Sequence, residues 1–131
     1  MVCLDSDILI ALLNGDKDAV SKVNNFESLN VPLKTTYPNL CELFKGAYKS
    51  SRAEEGVAAV ERMTKSIRVV GFSTNSCKTF GFLVNDMRKK GQSIGEMDIM
   101  IASLVLSKGE VLVTRNVKHF SRIPNLKIEK W

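Results

Sequence analysis

Four residues of this chain have the type and placement to do chemistry together: Asp5, Glu42, Asp98 and Asn116. Three are carboxylates and one is a carboxamide, so the set offers only oxygen donors. Such donors suit hard cations, Mg²⁺ or Mn²⁺. Without a cation, like charges gathered in one place repel and raise at least one pKa. An ion held there can bind substrate phosphates, orient and acidify a water, and offset the charge that develops as a phosphodiester is cut. Asp98 carries the strongest signal. It opens the stretch 98–106, where every later residue except Ser103 is apolar. A helix that is apolar on all sides is buried, and an isolated ionised carboxylate is costly to bury. It needs a partner, a proton or a cation, and its own apolar run contains no Lys or Arg.

The elements that must position these residues can be read in order. Val2-Cys3-Leu4 is a short apolar strand ending at Asp5. A short helix follows over 8–13, with Ser6 or Asp7 as its N-cap, then a second helix over 17–29. Residues 31–35 form a strand, with Pro32 at a strand start or an edge. Thr36 is a good N-cap and Pro38 suits the first turn of the next helix. That helix carries Glu42 and buries Leu40, Cys41, Phe44 and Tyr48. Ser51-Arg52-Ala53-Glu54 reads as a capping box opening a further helix. Residues 67–72 are strand-like. Ser73 or Thr74 starts a helix with Cys77, Phe80, Val84 and Met87 on one stripe. The Asp98 helix closes at Gly109, a C′ position. Val111 to Thr114 is the clearest strand, followed by a turn or short helix over 115–120, a turn at Pro124-Asn125 and a last strand over 126–129. This alternation predicts an α/β/α sandwich with a mainly parallel central sheet and helices on both faces. Ligands in such folds bind beyond the carboxyl ends of the strands, where Asp5 and Asn116 fall.

The length of 131 residues fits one domain, taken as 1–131. The net charge of +5 is compatible with a polyanionic partner. Basic residues gather from Lys108 onward. Three cysteines without a CxxC spacing support neither a disulfide framework nor a zinc site. Cys3, Cys41 and Cys77 each sit in an apolar pattern and read as small core residues, which fits a reducing compartment, the cytoplasm. No signal peptide or membrane span is apparent.

Each residue also has a plainer role. Asp5 could simply cap the next helix. Glu42 could be a first-turn acid favoured by the helix dipole. Glu96 and Asp7 read as supporting or dipole-favoured acids beside the site, and Asn116 alone would be a turn residue. His119, the sole histidine, could serve as a base but fits a surface or capping role better. The argument rests on the combination.

In its combination of stretches the chain resembles a PIN domain of the VapC type, the ribonuclease toxins of bacterial and archaeal toxin–antitoxin pairs. The resemblance spans almost the full length. It rests on the strand ending Leu4-Asp5-Ser6-Asp7; on Leu40-Cys41-Glu42-Leu43 with Gly46; on Asp98-Ile99-Met100-Ile101-Ala102; and on Val111 through Phe120 with Ile123-Pro124 and Trp131. The last two stretches are the specific ones. The resemblance implies a PIN fold and a Mg²⁺- or Mn²⁺-dependent endoribonuclease that leaves a 5′-phosphate. It places the metal-binding acids at Asp5, Glu42 and Asp98, and its fourth site position at Asn116. Many members carry Asp there, so a second ion would be held less tightly by this chain. Ser6 stands where Thr is frequent and keeps a hydroxyl beside the site; Asp7 stands where Asn is frequent and adds charge to the rim. Arg115, Lys118 and Arg122 are candidates for RNA phosphate contacts. The resemblance also implies a cognate antitoxin, whose basic or Arg-bearing tail could fill the acidic site, and a homodimer.

Two other readings compete. Asp5 and Asp7 after a strand, with Gly95-Glu96-Met97-Asp98, loosely resemble the motifs of haloacid-dehalogenase-like phosphatases, although the chain is short for that fold. A PIN domain with an incomplete site would bind RNA or protein without cutting, and Asn116 leaves that open.

Overall fold

A computed structural model of the chain describes residues 2–131. Among them are five strands and seven helices: β1 (Val2–Leu4), α1 (Ser6–Leu13), α2 (Lys17–Ser28), β2 (Leu33–Thr36), α3 (Tyr37–Lys49), α4 (Ala53–Thr64), β3 (Arg68–Val70), α5 (Thr74–Lys89), α6 (Glu96–Ser107), β4 (Val111–Thr114), α7 (Val117–Phe120) and β5 (Lys127–Lys130). The strands make one sheet in the order β3-β2-β1-β4-β5. Every pairing is parallel, with Leu4 opposite Val113 and Cys3 opposite both Lys34 and Leu112.

The pleat divides the core in two. Side chains alternate across a strand, so Val2 and Leu4 point to one face with Val113, while Cys3 points to the other with Leu112. The first face packs Ile8 and Leu9 of α1, Leu43 of α3, Val60 of α4 and Trp131. The second packs Leu83 of α5, Ile99, Ile101, Ala102 and Val105 of α6, and Phe120 of α7. Helices therefore cover both faces, as the alternation of elements predicts. The Asp98 helix is buried as its composition requires: six of its twelve residues, Ile99, Ile101, Ala102, Ser103, Leu104 and Val105, are inside. Gly109 follows it at φ +64°, the left-handed conformation expected at C′.

Local details differ from expectation. The capping box at Ser51 does not form. Helix α4 starts at Ala53 with Arg52 as its N-cap and no side-chain cap bond, so Ser51 stands one residue ahead of the cap position. Helices α3 and α4 cross closely there: a Cβ on Gly56 would lie 3.3 Å from Ala47 Cβ. The capping box is instead at the start of α5, between Ser73 and Ser76. Pro32 precedes β2, which is an interior strand, so its missing N–H lies outside the ladder. Only Cys3 is a core cysteine; Cys41 and Cys77 are exposed. On α5 the buried stripe is Ser76, Leu83 and Met87, one residue off the position of Cys77. Tyr48, expected inside, is also exposed.

Candidate functional site

The carboxyl ends of β1 and β4 lie side by side in the sheet, so Asp5 and Thr114 meet at one rim. Asp5 terminates β1 and is itself the N-cap of α1, its Oδ1 accepting from Ser6 N at 2.9 Å. The cap role read as the plainer alternative is thus real, and it leaves the side chain buried with further partners. Asn39 Nδ2 donates to the same Oδ1 at 2.9 Å, and Thr114 Oγ1 donates to Oδ2 at 2.7 Å. Burial still dominates and pushes the Asp5 carboxyl up to about 6. The Thr114 hydroxyl pulls the other way, and the Asp7 charge adds to the rise. Anything that supplies positive charge beside Asp5 would relieve it.

Glu42 joins the same network. The Ser6 hydroxyl donates to Glu42 Oε1 at 2.8 Å and accepts from Asn39 Nδ2 at 2.9 Å. Asn39 is wholly buried, and its own Oδ1 accepts from the Thr36 hydroxyl at 2.6 Å. This fixes which end of the amide faces Asp5. Asp7 lies on the other flank. Its Oδ2 accepts from Arg115 N at 2.9 Å and lies 3.3 Å from Thr114 Oγ1, while its Oδ1 is buried without a hydrogen-bond partner. A buried orphan carboxylate oxygen is a place where a cation or an ordered water fits.

Asp98 sits in the first turn of α6, half-buried, with its Oδ2 2.9 Å from His119 Nδ1. Burial raises its pKa, and the facing His119 lowers it. Asn116 is the N-cap residue of α7, its Nδ2 3.2 Å from the same Nδ1. The site residues therefore gather around two centres, Asp5, Ser6, Glu42 and Asp7 around Asn39 and Thr114, and Asp98 with Asn116 around His119, joined where Asn116 N donates to Thr114 Oγ1 at 3.0 Å. A cleft of about 350 Å³ runs between the flank of α3 and the start of α6, lined by Cys41, Glu42, Lys45, Gly46, Lys49 and Met97. Glu42 and the residue preceding Asp98 thus share one cleft. Among the described residues, no three His, Cys, Asp or Glu side chains stand close enough to form a ready-made metal cage. The donor set nevertheless fits a hard divalent cation: all oxygen, with one carboxylate raised by burial and an orphan oxygen beside it. Asp5, Glu42 and Asp98 are the residues that would hold it.

The other expected residues take clear places. Glu96 is exposed in the first turn of α6, where the helix dipole favours it. Arg115 is exposed and its guanidinium lies 3.1 Å from Asp16 Oδ2. Lys118 is exposed on α7, and Arg122 Nη1 donates to Ser93 O at 3.3 Å. Three residues that organise the site, Asn39, Thr114 and His119, were not read as such. The signal for Asn39 is its place three residues before Glu42, on one helix face; for Thr114, its place at a strand end on the rim.

The family model of the PIN domain matches residues 2–126, and the chain belongs to the PIN domain family. Within it, the chain is similar to proteins called VapC. It is 33% identical over 130 residues to Ribonuclease VapC2 of Rickettsia felis, covering 98% of this chain and 96% of that one. It is 37% identical over 92 residues, 70% of each chain, to the tRNA(fMet)-specific endonuclease VapC of Salmonella typhimurium. Two solved structures superpose closely. One is VapBC2 from Rickettsia felis bound to a DNA fragment from its promoter, with TM-score 0.88, 31% identity and coverage of 100% of this chain and 99% of that one. The other is DNA-bound VapBC from Salmonella typhimurium, with TM-score 0.90, 30% identity and coverage of 99% and 97%. The chain therefore sits with the PIN domains, not the haloacid-dehalogenase-like phosphatases.

Proposed function

We propose that this chain is a divalent-metal-dependent endoribonuclease and the toxin of a toxin–antitoxin pair. The observation that carries the reading is the buried Asp5 carboxyl at the rim, tied through Ser6 to Glu42, with Asp98 opening a buried helix whose preceding residue lines the Glu42 cleft. The relatives named as ribonucleases and the VapBC complexes support the same activity and an antitoxin partner.

Asp5, Glu42 and Asp98 would hold one Mg²⁺ or Mn²⁺, which when bound would supply Lewis acidity toward a phosphodiester and its attacking water. Asn39 and Thr114 fix the rotamer of Asp5, and Ser6 fixes that of Glu42. Asn116, neutral where many family members carry an acid, orients a water rather than adding charge. Arg115, Lys118 and Arg122 flank the rim and contact the RNA backbone, with Arg115 exchanging Asp16 for a phosphate. An antitoxin segment bearing a cationic side chain would satisfy the same carboxylates and silence the site. The protein acts in the cytoplasm as a homodimer.

The test is cleavage of a labelled mixed RNA pool by the purified protein with Mn²⁺, Mg²⁺ or EDTA, beside Asp98→Asn. Metal-dependent cutting that disappears in the variant is expected. Cutting that persists in the variant reports a contaminating nuclease and removes the support for this site. RNA binding that is equal in both proteins, with no cutting of any RNA by either, would favour a binding-only PIN domain.

A further inference from the structure

His119 stands between two of the four site residues. Its Nδ1 lies 2.9 Å from Asp98 Oδ2 and 3.2 Å from Asn116 Nδ2. One ring nitrogen cannot serve both as drawn. If Nδ1 carries hydrogen it donates to Asp98; if it is a bare lone pair it accepts from the Asn116 amide. The carboxylate contact is shorter and joins a donor to a charged acceptor, which makes the stronger bond. Asp98 sits in the first turn of a buried helix, and among the described residues its ion-pair contact is with His119, not with a Lys or Arg. The ring is also well placed to hold a fixed pose. The adjacent Phe120 is 1% exposed and packs in the same cluster as Ile99, the residue after Asp98. Phe120 thereby anchors the single turn of α7 in the core that α6 also joins.

We propose that His119 is a positioning residue of the site, its Nδ1–H holding Asp98 by Oδ2 and so fixing the carboxylate that opens α6. The ring then occupies the Nδ1–H tautomer, Nε2 is its lone pair, and the Asn116 NH2, 3.2 Å from Nδ1, no longer donates to the ring. The structural claim stands alone; its consequence for metal binding and cleavage rests on the reading of Asp98 given under the proposed function. Side chains that orient a metal-binding carboxylate or imidazole govern metal affinity without touching the metal.

The sole histidine gives a single imidazole ¹⁵N signature, so the tautomer can be read directly in the metal-free protein at pH 8. A protonated Nδ1 that is lost in Asp98→Ala is expected. An unprotonated Nδ1 overturns the proposal in favour of the Asn116 contact. Calorimetric Mn²⁺ binding supplies the second arm. His119→Leu is expected to weaken Mn²⁺ about tenfold or more, with kcat falling while KM for RNA holds. His119→Asn, which keeps an N–H near the Nδ1 position, is expected to restore most of both. Unchanged Mn²⁺ affinity in a folded His119→Leu overturns the role. If that variant fails to fold, the tautomer and His119→Asn still decide. Absence of RNA cleavage by the unaltered protein would count against the nuclease reading, while the tautomer would still settle whether His119 holds Asp98.

Discussion

Asp5 is both a helix cap and a buried carboxylate, and the two roles have opposite effects. The cap bond to Ser6, the Asn39 amide and the Thr114 hydroxyl all favour the charged form, yet burial outweighs them and leaves the group near 6. An acid whose pKa is raised on folding binds its proton more tightly in the folded state. Its contribution to stability is complete below the unfolded value near 4 and is lost as pH rises through about 6. At about 1.4 kcal/mol per unit, the rise from 3.8 amounts to roughly 3 kcal/mol. In EDTA, denaturant unfolding should therefore show the unaltered protein losing stability between pH 4 and 7 by about that amount relative to Asp5→Asn. Parallel profiles for the two proteins would mean that Asp5 is not a destabilised charge. At this scale the sequence showed the acids and not their partners. Asp5, Glu42 and Asp98 stand out because an acid among apolar residues is conspicuous. Asn39, Thr114 and His119 are ordinary polar residues whose importance comes only from which chain segment folds against them.

Helix α3 shows how an element turns that list of residues into a network. Thr36 ends β2 and caps α3, accepting from Asn39 N at 3.2 Å and donating to Asn39 Oδ1. That holds Asn39 toward Asp5, and Glu42, one turn further on, toward Ser6. Asn39→Ala removes the side-chain amide shared by Asp5 and Ser6, leaving buried acceptors short of a donor. A cost of about 2 kcal/mol in urea unfolding is expected, with a loss of cleavage larger than the loss of stability explains. A variant that unfolds normally and cuts RNA normally would show that the network is incidental. Elements were the most legible level of the sequence. The apolar run of α6, the strand 111–114 and the Thr36–Pro38 start of α3 all appear where periodicity and capping place them. The misses have local causes. At Ser51 the helix begins one residue later than the box requires, with Arg52 at the cap, and at Cys41 and Cys77 an apolar neighbourhood in sequence is not a buried helix face.

For the molecule as a whole, the parallel order β3-β2-β1-β4-β5 brings residues from opposite ends of the chain to one rim. Below the rim, Lys34 of β2 and Glu110, just before β4, form a buried ion pair that spans β1 between them. Losing one partner of such a pair strands the other charge, so it ties the central strands into one register. Alternation of elements and the resemblance to PIN domains made this architecture readable. The distance between the Asp5–Glu42 group and Asp98 was not readable, because it depends on how α6 docks. Asp98 is bonded to His119, and among the described residues no three acids form a cage. The central claim is that a divalent ion draws Asp5, Glu42 and Asp98 into one site. The most direct measurement is a Mn²⁺ titration, followed by calorimetry, of the unaltered protein and of Asp5→Asn, Glu42→Gln and Asp98→Asn. The account predicts a tight ion held by each chain, lost or weakened at least tenfold in all three variants. Full-strength binding in Asp98→Asn, with loss only in the other two, would contradict it.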